Sequence, residues 1–195
     1  MSLLDQLTSQ LSGPALDALS QQLGADPGQT SSAISAALPM ILGSMARNVS
    51  NPDGAQALSQ ALANDHDGSI LDNLQGFLGS SDNGPGAGIL RHVLGANQAP
   101  VQQSISQVSG LDLSKVGPLL ENLAPIVMGM LGRQQRSTGM DAGGLASVLL
   151  GERDQMQTRS VGASSTLSML NNLLDRDGDG SALDDIGGML GKFLR

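Results

Sequence analysis

Five aspartates fall within eleven residues near the end of the chain, in "LLDRDGDGSALDDIGGML", Leu173 to Leu190. Carboxylates crowded this closely repel one another, and a hard divalent cation relieves that repulsion. Calcium takes six to eight oxygen ligands, and a helix–loop–helix site spaces them at alternate loop positions with glycine at the sixth. Asp175, Asp177 and Asp179 hold positions one, three and five, Gly180 holds six, and Ser181 supplies the backbone carbonyl of seven. Calcium is therefore the cofactor these residues imply. Magnesium suits them less, because it takes fewer protein ligands in stricter geometry.

The end of the loop departs from that pattern. Position twelve is Ile186, and the available acids are Asp184 and Asp185. A shortened loop would bring either one in from the first turn of the exiting helix, Asp184 ahead of Asp185. In this it resembles excalibur-type, EF-hand-like calcium loops, whose closing acid comes at position ten. With Arg176 the segment carries a net charge of −4, half of the −8 of the whole chain. The competing reading is a solvated acidic turn in which Asp184 and Asp185 serve only the dipole of the following helix.

The elements that must hold such a loop are helical. No segment has the alternating β-branched pattern of a strand, and the expected fold is all-α. "SLLDQLTSQL" puts Leu3, Leu4, Leu7 and Leu11 on one helical face. Pro14 suits the first turn of a second helix that Gly24 ends. Asp26-Pro27 then reads as N-cap and first residue of a long helix to about Asn48, kinked at Pro39.

Sliding the chain by 86 residues aligns Leu4 with Leu90, Pro14 with Pro100, Gly24 with Gly110 and Asp26 with Asp112. "LPMILGSMAR" falls on "APIVMGMLGR", and after one insertion "AQALSQAL" falls on "AGGLASVL". The expectation is two pseudo-equivalent multihelical repeats, residues 1–85 and 86–151. A flexible linker over 152–165 and a C-terminal helix–loop–helix over 166–195 would follow. Leu38 to Met45 and Leu123 to Leu131 are apolar nearly all round, as in helices buried from every side.

Composition removes several function classes. At 39% hydrophobic and 14% charged residues the chain can build a core. A pI near 4.4 leaves no basic stripe for nucleic acid. Without cysteine there is no disulfide or thiolate chemistry. The longest apolar stretch, "LAPIVMGMLG", is about half of the ~20 residues that span a bilayer. The start "MSLLDQLTSQ" lacks a basic region and a long apolar run, so a cytoplasmic location is expected.

No hydrolase elbow, phosphate loop or paired-histidine zinc motif occurs. His66, flanked by Asp65 and Asp67, reads as an exposed residue in a helix-capping segment, with metal ligation as the alternative. His92 reads as an exposed helix position. Arg47 and Arg133, which align in the two repeats, read as end-of-helix cations.

The ordered set "SLLDQL", "LSQQLGADPGQTSSAISAALPMILGSMARNVSNPDGAQAL", "NDHDGSILDN", "GILRHVLG", "LAPIVMGMLG" and "LLDRDGDGSALDDIGGMLGKF" resembles the YidB-like family of bacterial domains of unknown function. That resemblance implies a multihelical fold and no established activity or catalytic residue. The expected function is a non-enzymatic structural or interaction protein with a C-terminal calcium loop. The alternative is a self-assembling helical protein, or one that binds an amphiphile or a partner helix, in which the acidic loop is only a solvated turn. A homo-oligomer or protein partner fits either reading; no small-molecule substrate is identified.

Overall fold

The computed structural model describes residues 2–79 and 85–174, with side-chain surroundings as far as residue 158. Among the described residues every regular element is helical and no strand occurs. In order they are α1 (Leu3–Gln10), α2 (Pro14–Leu23), α3 (Pro27–Asn48), α4 (Pro52–Asp65), a 3₁₀ turn (Ser69–Asn73) and α5 (Leu74–Leu78). Then come α6 (Gly86–Leu94), a 3₁₀ turn (Gly95–Asn97), α7 (Gln98–Ser109), α8 (Leu113–Thr138) and α9 (Ala142–Leu174). The chain divides into two units, Met1–Arg153 and Asp154–Arg195. The packing below is that of the first.

Local chemistry sets the helix ends. Ser2 and Asp5 form a reciprocal capping box at the start of α1. Asp26 caps α3 by accepting the Gly28 N–H at 2.8 Å, and Asp112 caps α8 by accepting the Ser114 N–H at the same distance. Gly24 and Gly110 close α2 and α7 in the left-handed conformation that glycine adopts without strain.

The core sits between α3 and α8. Leu38, Ile41, Leu42 and Met45 of α3 are buried, as are Leu119, Leu120, Leu123, Ile126, Val127 and Leu131 of α8. Burying each such side chain contributes about 1.5–3 kcal/mol. Helices α1, α2, α6 and α7 pack on α3, and α4, α6 and α7 pack on α8. Both long helices continue through proline, α3 at Pro39 and α8 at Pro118 and Pro125. Pro125 has no N–H to donate to the Glu121 carbonyl. The first turn of α6 closes on that carbonyl through Gly86, where a Cβ would stand 2.7 Å from the Glu121 carbonyl carbon and nearer its oxygen.

Two expectations change here. Residues 152–165, expected as a flexible linker, are helical within α9. Glu152, Arg153, Gln155, Met156 and Gln157 are all strong helix formers, and a polar stretch made of them extends a helix readily. Arg133 does not end its helix, since α8 runs on to Thr138. The buried carboxylate of Glu152 also accepts the Leu3 N–H at 2.6 Å, so α9 caps α1 from 149 residues away.

Candidate functional site

The end of α3, the exposed side of α4 and one face of α6 enclose a cleft of about 570 Å³. Small-molecule sites usually fall between about 300 and 1,000 Å³. Met45 and Asn48 come from α3. Gly54, Ala57, Leu58 and Ala61 come from α4 at i, i+3, i+4 and i+7, one continuous strip. Gly88, Ile89, His92 and Val93 come from α6, and Met128 from α8.

Two asparagines fix the walls. The Asn48 amide donates to the carbonyls of His92 and Val93, 3.3 Å each, tying the end of α3 to the last turn of α6. Asn51 Oδ1 accepts the Gly54 N–H at 2.7 Å and starts α4. Gly54 lies against the backbone of Asn48, so close that a Cβ would stand 3.0 Å from its carbonyl carbon. The walls therefore meet through backbone rather than through long side chains.

His66 closes the far end of α4 as its C-cap residue and also lines the cleft. It is half-buried, where an exposed position was expected. Burial pushes its imidazole below the usual range, and the neighbouring Asp65 charge partly opposes that. The turn carrying it is clamped from α8. Arg136 donates to the Ala63 carbonyl at 3.1 Å and pairs with Asp67 at 3.5 Å. Arg133 donates to the Gly68 carbonyl at 2.7 Å and to Asp72. Gly132 meets the His66 carbonyl, and a Cβ there would stand 3.0 Å from its carbon and closer to its oxygen.

Arg133 is thus a clasp across helices rather than a cation serving the carbonyls of its own helix. Arg47, its partner in the repeat alignment, donates to the Ser44 hydroxyl at 2.7 Å inside α3. The alignment matched the two residues while their contacts differ.

Asp67 does not join His66 in a ligand set. Its carboxylate accepts from the Ser69 side chain and backbone, with the backbone bond at 2.9 Å, and these bonds hold it below the usual carboxylate range. Among the described residues no group of three or more His, Cys, Asp or Glu is placed to hold a metal. Asp175, Asp177, Asp179, Ser181, Asp184 and Asp185 lie outside the described residues.

His92 is exposed, as its place on α6 suggested, and shares the cleft with His66. Sequence reasoning missed that pairing, along with Asn48 and Asn51. The small-residue strip Gly54, Ala57 and Ala61 was the one available signal, because a helix face without bulk marks either a close contact or a hollow. The lining offers imidazoles, carboxamides and aliphatic walls. Among the described residues it offers no carboxylate, lysine, arginine or hydroxyl. Such a set can hold a molecule and orient it.

Residues 5–134, which include every cleft-lining residue named above, match a family described as bacterial protein of unknown function (DUF937). Among curated proteins and among solved structures nothing matches the chain. No helix among the described residues is long and apolar enough to cross a membrane.

Proposed function

Because the chain belongs to the DUF937 family of bacterial proteins of unknown function, membership brings no activity with it, and we propose from the cleft itself that this is a non-enzymatic binding and interaction protein. The observation that carries the reading is a hollow of about 570 Å³ whose lining pairs aliphatic walls with two imidazoles and two carboxamides. Nile red, a neutral dye that brightens in apolar surroundings, tests it. Folded protein should enhance its emission, and Gly88→Leu, which fills the cleft from α6, should remove the enhancement. Equal emission from wild type and variant would sink the reading.

A second reading concerns the C-terminal loop. The spacing of Asp175, Asp177, Asp179, Gly180 and Ser181 supports calcium, with Asp184 or Asp185 closing the site. Bound only in the ordered state, the ion would stabilise its loop by linkage. Titration calorimetry should register calcium binding that Asp177→Ala abolishes. No heat at millimolar calcium would rule the loop out as a site, and light scattering in the same titration would reveal any change in assembly. Within the family, the quoted motifs support a YidB-like assignment. The matching caps at Asp26 and Asp112, and the matching ends at Gly24 and Gly110, support reading the helical body as two versions of one unit.

A further inference from the structure

We propose that the cleft is gated by protonation: an uncharged apolar guest and a protonated His66 oppose one another, so the site holds its guest at neutral pH and releases it in acid. The inference rests on reading the cleft as a binding site. His66 lines the cleft where α4 ends, and it is half-buried there. The lining at that end is apolar. Ala61 comes from the last turns of α4, and Met128 lies one turn before Gly132, which meets the His66 carbonyl. The backbone on either side of His66 is pinned to α8, through Arg136 at the Ala63 carbonyl and Arg133 at that of Gly68. The turn has little freedom to carry the imidazole away from an incoming guest.

Burial already disfavours the charged form of this ring and holds its pKa below the usual range. A guest filling this end of the cleft covers the part of the ring still open to water. It removes hydration that the charged ring needs far more than the neutral one. Binding therefore lowers the pKa further, and by reciprocity protonation weakens binding by the same factor. Among the described residues the opposing charge is that of Asp65, which is exposed and so screened by water and salt. Asp67 is engaged by Ser69 and Arg136. Arg133 and Arg136 of α8 carry the same sign as a protonated imidazole and give it no support. His92, the other titratable group of the lining, stands beside Asn48 at the far end of α4.

The test uses the full chain and Nile red, whose own charge does not change between pH 7.5 and pH 5. At constant ionic strength the dye should bind roughly threefold to tenfold more weakly at pH 5, one pKa unit being a tenfold change in affinity. His66→Gln, neutral at both values, should bind the dye equally at both. His92→Gln should keep the wild-type dependence. The reciprocal measurement needs no change at His66. The chain has two histidines, so proton–carbon NMR gives two ring signals, which His92→Gln assigns. Saturating dye should move the His66 midpoint to lower pH and leave that of His92 in place. This measurement decides alone should His66→Gln lose its circular dichroism.

Equal affinity at the two pH values in wild type, a pH dependence that survives in His66→Gln, or a His66 midpoint unmoved by dye would each overturn the gate. If Gly88→Leu still abolishes the emission at pH 7.5, the cleft then stands as a binding site without a pH control. Emission indifferent to Gly88→Leu would bring down both readings together.

Discussion

Gly132→Ala adds one methyl group where α8 meets the end of α4. The new Cβ would stand 3.0 Å from the His66 carbonyl carbon and nearer still to the oxygen. Carbon atoms in contact prefer about 3.5–4.0 Å, and the oxygen is the nearer atom, so one backbone must move by more than about 1 Å. The α4 side has little room to yield. Leu62, one turn back, is fully buried, Arg136 holds the Ala63 carbonyl, and Arg133 holds that of Gly68. Overpacking against fixed backbone belongs at the upper end of its usual range, about 3 kcal/mol. Alanine returns about 1 kcal/mol of helix propensity. The net loss is about 2 kcal/mol, or roughly 4–8 °C in Tm for a domain of this size.

Gly43→Ala is the internal control. It lies in the middle of α3 with nothing within 4 Å of its Cβ, so only the propensity gain of about 1 kcal/mol applies. The same substitution should therefore lower the Tm at one site and raise it at the other. Thermal unfolding followed by far-ultraviolet circular dichroism reads both, since the chain has neither Trp nor Tyr for fluorescence. A Gly132→Ala protein that melts at or above wild type would refute the close-packing argument.

Leu62→Ala should cost about 3 kcal/mol, through lost burial and a cavity under α4, measured by urea unfolding. Glu152→Ala strands the buried Leu3 N–H and should cost about 2 kcal/mol, whereas Glu152→Gln keeps an acceptor and should cost less. Asn51→Ala removes the cap of α4 at about 1 kcal/mol, with a matching loss of Nile red emission as that wall of the cleft frays. His66 titrates below its unfolded value of about 6.5. The unfolded chain thus binds the proton first, and the stability this residue contributes is complete above that value and is lost as pH falls through it toward the folded pKa. Melting curves at pH 7.5 and pH 5 should differ less in His66→Gln than in wild type; equal differences would remove His66 as the cause.

The sequence was most readable where structure is local. Asp26-Pro27 opens α3, Pro14 opens α2 and Gly24 ends it, because caps and turns depend on neighbours within about four residues. The apolar stretches of α3 and α8 were legible as buried for a similar reason: each has no polar face to present. What escaped was contact between distant segments. Nothing in "NDHDGS" says that Arg133 and Arg136, some seventy residues on, will clasp that turn and draw His66 half out of solvent. Arg133 looked terminal because glycine and polar residues surround it. Yet Gly129 and Gly132 clear a path for the α4 turn, and α8 continues beneath it. The cleft was invisible for the same reason, since its walls come from four helices and only the small-residue strip of α4 is continuous in sequence.

The bond from the Leu3 N–H to Glu152 has a bearing on how the protein is made. A ribosome adding about 5–20 residues per second needs roughly 7–30 s to travel the 149 residues between the two partners. Throughout that interval α1 has its capping box but lacks its last buried acceptor. Its apolar face, Leu3, Leu7 and Leu11, must wait on the nascent chain or dock provisionally. Final locking of α1 is therefore a late event in synthesis, and ribosome-bound chains stalled before residue 152 should be more open to protease at α1 than chains stalled beyond it.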